Sequence, residues 1–315
     1  MDREITAAVS SFLLDEPCLS VRKNVPLSRL TSMGVGGDAA CVLSPRDGGC
    51  LIRLLDRLRP SDVPFRVIGN GTNLIAPDAG YPGVLVLTAG IDRISVTGNV
   101  LVAGAGAPLG RAIRRAMEAG LSGLEELIGI PGTVGGALYM NAGAYGRTVS
   151  ERLRYATVYH PASGEVTVRT PGSLVFGYRT GSIREEGMIV LSAAFDLLPS
   201  DPAAIAARMN EILEERNATQ PTGLKSAGSF FRRPAPDIPA GKLIAEAGCA
   251  GLTEGGAAVS TKHAGFIVNT GTATERDVRR LAERVRDKVK QKTGFILEPE
   301  AEYLSDLFDG SGKRT

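Results

Sequence analysis

Apolar and polar positions alternate in two rhythms along this chain. Period-two alternation or short apolar runs, bounded by glycine and proline, predict strands at FRVIG (65–69), LIAP (74–77) and GVLVLTA (83–89). The same rhythm predicts short strands over 91–105, a hairpin at RLRYATVYHPASGEVTVRT (152–170) turning at 162–164, and strands at MIVLSAAFDLL (188–198) and HAGFIVN (263–269). Helical spacing runs through GCLIRLLDRLRP (49–60), where Pro60 stops it, and through PLGRAIRRAMEAGLSGLEEL (108–127). It returns in AAIAARMNEILEERNAT (203–219) behind Asp201 as a cap, in AGKLIAEAG (240–248), and in the last long helix, ending at Gly294. There Thr274 and Asp277 form a capping-box pair, and Val278, Leu281, Val285 and Val289 make one apolar stripe. The first fifteen residues read as a short helix, and 24–45 as a turn-rich segment ending in a strand. The stretch 129–146 reads as a glycine-rich loop. A break in composition near 200–202 marks a domain boundary.

Composition narrows the class. Of 315 residues, 43% are hydrophobic and 22% charged, as in an ordinary globular protein. A net charge of +2 gives no reason to expect nucleic acid or a membrane as partner. No apolar run reaches the roughly 18 residues of a membrane span, and the start lacks the pattern of a signal peptide. The four cysteines (Cys18, Cys41, Cys50 and Cys249) show no metal-ligand spacing, so we expect reduced thiols, no metal and a cytoplasmic location. The 39 glycines, about 12% against a usual ~7%, gather in short loops where backbone turns tightly or meets a ligand.

Five stretches carry candidate chemistry. VIGNGTNLIAP (67–77) could offer successive backbone N–H groups to an anion, or could be a plain hairpin turn; it is not a dinucleotide fingerprint. GIPGTVGGALYMNAGAYG (129–146) leaves main chain open to a large planar or phosphorylated ligand. In FGYRTGS (176–182), Arg179 beside Tyr178 could hold a carboxylate or phosphate, or be a surface arginine at a strand end. SAGSFFRRP (226–234) holds Ser229, with His160 and His263 the chain's two histidines; packing or capping accounts for His263. GFILEPEAEYL (294–304) sets Glu298 and Glu300 two apart, on one side of a strand if it is one.

In this order, together with NVPLSRLTSMGVGG, AGKLIAEAG and KHAGFIVN, these stretches resemble the UDP-N-acetylenolpyruvoylglucosamine reductase family, over 24–300. The resemblance implies an α+β fold: an FAD-binding domain of the vanillyl-alcohol-oxidase (PCMH) type and a smaller α+β substrate-binding C-terminal domain. It implies FAD subdomains at 1–88 (to which 301–315 could return) and 89–200, and a substrate domain at 201–300. FAD, held non-covalently, falls to Gly69, Asn70, Gly71, Thr72 and Asn73, and to Ile130, Pro131, Gly132, Gly135, Gly136, Asn141, Ala142, Gly143 and Gly146. NADPH is the co-substrate and UDP-N-acetylglucosamine enolpyruvate the substrate, met by Tyr178, Lys225 and Arg233. The product, UDP-N-acetylmuramate, is a peptidoglycan precursor. Ser229 is the proton donor, with Arg179 and a protonated Glu300 stabilising charge on the substrate. A monomer is expected, of the shorter subtype without a substrate-covering tyrosine loop. The loop reads GNGTN where GGGSN is usual, and Arg233 stands where some members have asparagine. Two rival readings are another FAD oxidase or dehydrogenase of the same superfamily, and a redox-inactive nucleotide-sugar binder.

Overall fold

The computed structural model describes residues 16–61 and 63–306, so the expected N-terminal helix lies outside the described residues. The chain forms two compact units: one of residues 16–22, 41–70 and 83–215, the other of 23–40, 71–82 and 216–306.

The first unit is built on a five-stranded antiparallel sheet in the order Val166–Arg169, Leu153–Tyr159, Ile189–Asp196, Val100–Gly104, Ile94–Thr97. Its inward residues, among them Leu101, Ala156 and Phe195, pack with Ile113 of the Leu109–Glu118 helix and Val134 in one buried cluster. A smaller cluster joins Leu51 and Leu55 of the Gly48–Leu58 helix to Val84 and Val86. That helix starts where Asp47 accepts from the Cys50 N–H at 2.8 Å, a cap that satisfies one orphan donor. The strand Phe65–Ile68 pairs in parallel with Tyr81–Leu87, inside a sheet ordered Leu19–Pro26, Asp38–Pro45, Tyr81–Leu87, Phe65–Ile68.

The second unit carries an antiparallel sheet ordered Lys225–Ser229, Phe266–Asn269, Ala257–Val259, Thr253–Glu254. The long helix Glu275–Thr293 packs with it through the predicted stripe: Val278, Leu281, Val285 and Val289 are all fully buried. At roughly 1.5–3 kcal/mol for each fully buried aliphatic side chain, this stripe outweighs the helix's charged outer face. Both halves of the capping box form. The Thr274 hydroxyl accepts from Asp277 N at 3.1 Å, and the Asp277 carboxylate accepts from Thr274 N at 3.0 Å. Gly294 closes the helix at φ 77°.

The hydrogen bond from Thr274 N, with help from Gly256 N, holds the Asp277 carboxyl below its ordinary range. A depressed folded pKa contributes stability above the unfolded value and loses it as pH falls through the folded one. Asp277→Asn is therefore expected to cost about 1 kcal/mol at pH 7. That gap should shrink at pH 3, where the wild-type carboxyl is itself becoming protonated; urea midpoints at the two pH values check this.

Three expectations are corrected. The 108–127 stretch is not one helix: the helix stops at Glu118, because Gly120 turns left-handed (φ 68°), and Leu121–Ser122 pairs as a strand with Leu198–Pro199. The 129–146 stretch is not all loop, since Val134–Tyr139 is helical behind Thr133, whose hydroxyl accepts from Gly136 N at 3.2 Å. Nor are all the thiols reduced: Cys18 and Cys50 form a disulfide, with Cα atoms 6.1 Å apart, while Cys41 and Cys249 are free and buried. The Arg46 N–H donating to Cys18 O at 2.9 Å brings the segment before the first strand beside the first turn of the Gly48–Leu58 helix. Cysteine spacing carries no trace of that approach.

Candidate active site

In the first unit, three segments assemble the candidate site: the end of the Phe65–Ile68 strand, the glycine-rich stretch, and the Phe176–Gly181 hairpin. Gly69 lies against Thr133, where a Cβ would press on the cap hydroxyl. The glycine-rich stretch and the hairpin lock each other. Asn141 Nδ2 donates to Gly177 O at 2.9 Å, and Arg179 Nη2 donates to Gly143 O at 3.1 Å. Arg184 Nη1 donates to Arg179 O at 3.1 Å, holding the hairpin tip from below.

Arg179 is half-buried and lies in the turn itself, not at the end of an exposed strand. Its guanidinium carbon stands 5.3 Å from the centre of the exposed Tyr178 ring. Among the described residues four non-glycines have positive φ: Asn24, Asn141 (43°), Tyr145 (51°) and Arg179 (58°). Three of the four belong to this constellation. Such backbone costs of order 1–3 kcal/mol per residue and persists where the surroundings over-determine it, most often at functional sites.

Asn141 also bears on the cofactor. Its side chain is 5% exposed, and its Oδ1 has no hydrogen-bond partner among the described residues. The donation to Gly177 O fixes which end is the amide nitrogen, so the orphan is an acceptor awaiting a donor. Around Gly146, in the same stretch, a Cβ would find no atom within 4 Å. A buried acceptor beside open, unhindered main chain fits a large ligand carrying N–H or O–H groups, as a flavin and its ribityl chain do.

The second unit gathers Gly71, Thr72, Asn73, Ser229 and Glu300. The run 69–73 is not a hairpin turn. Phe65–Ile68 and Leu74–Ile75 pair with different strands, the latter in parallel with Glu302–Tyr303. Gly71 turns left-handed at φ 59°, and a Cβ there would collide with the Leu30 carbonyl oxygen. Asn73 ties this loop to the acidic segment: its Nδ2 donates to Glu300 O at 3.1 Å, and its O accepts from Glu302 N at 2.9 Å.

Ser229 ends the strand Lys225–Ser229, opposite Phe266. Regular pairing fails between Ser226 and Ser229, where Gly228 takes φ 78°, so the strand bulges just before the serine. Next to it, Phe230 N donates to Gly265 O at 2.8 Å and Phe230 O accepts from Glu300 N at 2.8 Å. Arg232 N donates to Glu298 O at 2.9 Å. Ser229 and Glu300, far apart in sequence, thus sit on neighbouring, directly bonded strips of backbone. Residues 298–300 are not part of a regular strand: an isolated bridge joins Phe231 to Pro299, and the strand begins at Glu302. Glu300 is half-buried and Glu298 exposed. Lys225 and Arg233 are exposed too; the aliphatic stem of Lys225 lies over Gly34, and Arg233 Nη1 donates to Pro236 O at 3.2 Å.

His263 packs, as expected. Its Nδ1 accepts from Gly265 N at 3.1 Å, its ring stands edge-on to Phe266 at 5.0 Å, and burial holds its pKa below the ordinary value. Two features carry no signal in the sequence. Neither the bulge at Gly228 nor the use of Asn73 to fasten Glu300 can be read from residue order, since each depends on pairing across long separations.

Comparison with known proteins completes the picture. Residues 39–169 match the model of the FAD binding domain, and 220–304 that of the UDP-N-acetylenolpyruvoylglucosamine reductase C-terminal domain. The reductase of Caldicellulosiruptor bescii is 40% identical over 90% of this chain and 91% of its own. The chain belongs to the UDP-N-acetylenolpyruvoylglucosamine reductase family. The Synechococcus sp. member is 43% identical over 91% of this chain and 94% of its own. A crystal structure of the Thermus caldophilus member superimposes with a TM-score of 0.76 at 35% identity, covering 90% of this chain and 98% of that one. The fold is accordingly that of the family, a PCMH-type FAD-binding domain with the family's C-terminal domain, and the protein is an FAD-dependent oxidoreductase. Among the described residues no helix is long and apolar enough to cross a membrane.

Proposed function

We propose that this chain reduces the enolpyruvyl group of UDP-N-acetylglucosamine enolpyruvate to give UDP-N-acetylmuramate, with NADPH as reductant. The observation that carries the reading is the direct backbone link between the Ser229 and Glu300 strips, Glu300 N to Phe230 O at 2.8 Å. When bound, FAD takes hydride from NADPH and passes it from N5 to the terminal methylene carbon of the substrate. The electron pair of the double bond then sits on the adjacent carbon, spread into the carboxylate, and needs a proton.

Ser229 supplies that proton. A serine hydroxyl is a weak acid, so its efficiency rests on position, and the bulge at Gly228 with the Phe230 bonds provides it. Ser229 is exposed, so shielding the reacting carbon from water falls to the substrate itself, and solvent can restore the proton afterwards. Arg179, fixed in a strained turn and bonded to Gly143 O, offers its remaining N–H donors to the substrate carboxylate, where negative charge grows. Glu300, protonated, donates to the same charge.

The roles of the two acids can be separated. Glu300→Gln keeps a neutral donor of the same shape and should retain much of the turnover, whereas Glu300→Ala should lose about 100- to 1,000-fold. Glu298→Gln should stay within about twofold, as expected of an exposed surface acid. Steady-state kcat with the enolpyruvyl UDP-sugar decides between Glu300 and Glu298.

Gly69 to Asn73 and the residues Ile130 to Gly146 named above hold FAD in this reading, Asn141 Oδ1 by accepting a hydrogen bond. FAD is bound without a covalent tether. Within 89–200 the one histidine, His160, sits at the end of a sheet strand with Nε2 2.7 Å from Thr167 Oγ1, away from the glycine-rich stretch. Tyr178, Lys225 and Arg233 meet the UDP-sugar. The chain acts as a cytoplasmic monomer, with 1–88 and 89–200 serving the flavin and 201–300 the substrate.

A further inference from the structure

We propose that Ser32 is a positioning residue for the proton-transfer step, acting through the strand that ends in Ser229; this rests on the reading of Ser229 as the proton donor. Ser32 belongs to a segment 194 positions away from Ser226 in sequence, yet its hydroxyl donates to Ser226 O at 2.6 Å. The same hydroxyl lies 3.3 Å from Thr72 O, and Ser32 N donates to Gly71 O at 3.2 Å. One residue therefore binds both the glycine loop, through its N–H, and the strand that carries the proton donor.

The place where it binds matters. Ser226 is the last residue in register with its partner strand before the bulge: Ser226 faces Val268 and Ser229 faces Phe266, so two residues stand between on one strand and a single residue, Ile267, on the other. Across Ala227 and Gly228 the ladder gives no regular support. Downstream, Ser229 is secured by the Phe230 bonds to Gly265 and Glu300. Upstream, the Ser226 carbonyl is the corresponding anchor, and it is pinned by Ser32. A hydroxyl has one proton to donate, and the 2.6 Å contact is the one that takes it; Thr72 O is a weaker second acceptor. Without the hydroxyl, the bulge keeps only its downstream anchor and the aim of the Ser229 Oγ loosens.

Misplacing a catalytic group by about 1 Å can cost on the order of 100-fold. We expect Ser32→Ala and the isosteric Ser32→Val to slow reoxidation of reduced enzyme by the enolpyruvyl UDP-sugar by roughly 10- to 100-fold, with a larger solvent deuterium isotope effect on that phase. Flavin reduction by NADPH should stay within twofold, and Ser32→Thr, which keeps the hydroxyl, should restore reoxidation. A readout independent of turnover is hydrogen exchange in the free protein. Amides of 226–230 should exchange faster in Ser32→Val than in Ser32→Thr, while those of 275–293 remain unchanged. Unaltered reoxidation in Ser32→Val, equal slowing of both half-reactions, or a protein that folds only with the hydroxyl present would each overturn the proposal. Ser229→Ala run alongside separates the two readings: if it still reoxidises at the wild-type rate, the donor assignment itself fails.

Discussion

Ser229→Ala should leave flavin reduction by NADPH nearly unchanged and slow reoxidation by the enolpyruvyl UDP-sugar by roughly 100- to 10,000-fold, the range for losing a positioned proton donor. The asymmetry is the point. Reduction involves no proton on the substrate carbon, and Ser229 has no part in it. Reoxidation needs that proton, and removing Oγ leaves only water to supply it. Fold disruption is not an alternative explanation, because Ser229 is exposed and its backbone partners, Phe266 and the neighbours of Phe230, are untouched by the change. Stopped-flow absorbance of the two half-reactions gives both numbers. Collapse of flavin reduction in a folded variant would remove Ser229 from the donor role.

Arg179 gives the second large effect. Arg179→Ala should lower kcat with the UDP-sugar by roughly 100- to 1,000-fold and raise its KM, since the same donors meet the carboxylate in the ground state and as charge develops. Arg179→Lys should recover little of this, because a point charge replaces a fork that bonds Gly143 O while facing the substrate. At φ 58° neither alanine nor lysine relieves the backbone strain of the arginine, so the hairpin conformation is a constant across the three proteins. Equal kcat in wild type and Arg179→Ala would contradict the assignment.

Local chemistry was legible wherever it was self-contained. The Glu275–Thr293 helix shows its capping box, stripe and terminal glycine in consecutive residues, and all three appear in place. The hairpin Leu153–Tyr159 with Val166–Arg169 reads directly from alternation and its turn. The short helix Val134–Tyr139 did not, because paired glycines disguise a segment whose start is fixed by Thr133. The Cys18–Cys50 link and the Ser32 bond to Ser226 join residues 32 and 194 positions apart, and no local pattern announces either. Order along the chain placed Arg179, Ser229 and Glu300 in one constellation by resemblance. Folding supplied what order could not: a strained turn for the arginine, a bulge before the serine, and the Asn73 and Phe230 bonds that hold the glutamate's main chain.

The most direct measurement is the visible spectrum of the FAD-loaded protein under anaerobic conditions, taken before NADPH, after NADPH, and after the enolpyruvyl UDP-sugar. The account predicts an oxidised flavin band that bleaches with NADPH and returns when the sugar is added, without oxygen. A band that bleaches but returns only on admitting oxygen would contradict it and point to an oxidase, and failure to bind FAD at all would contradict it more deeply.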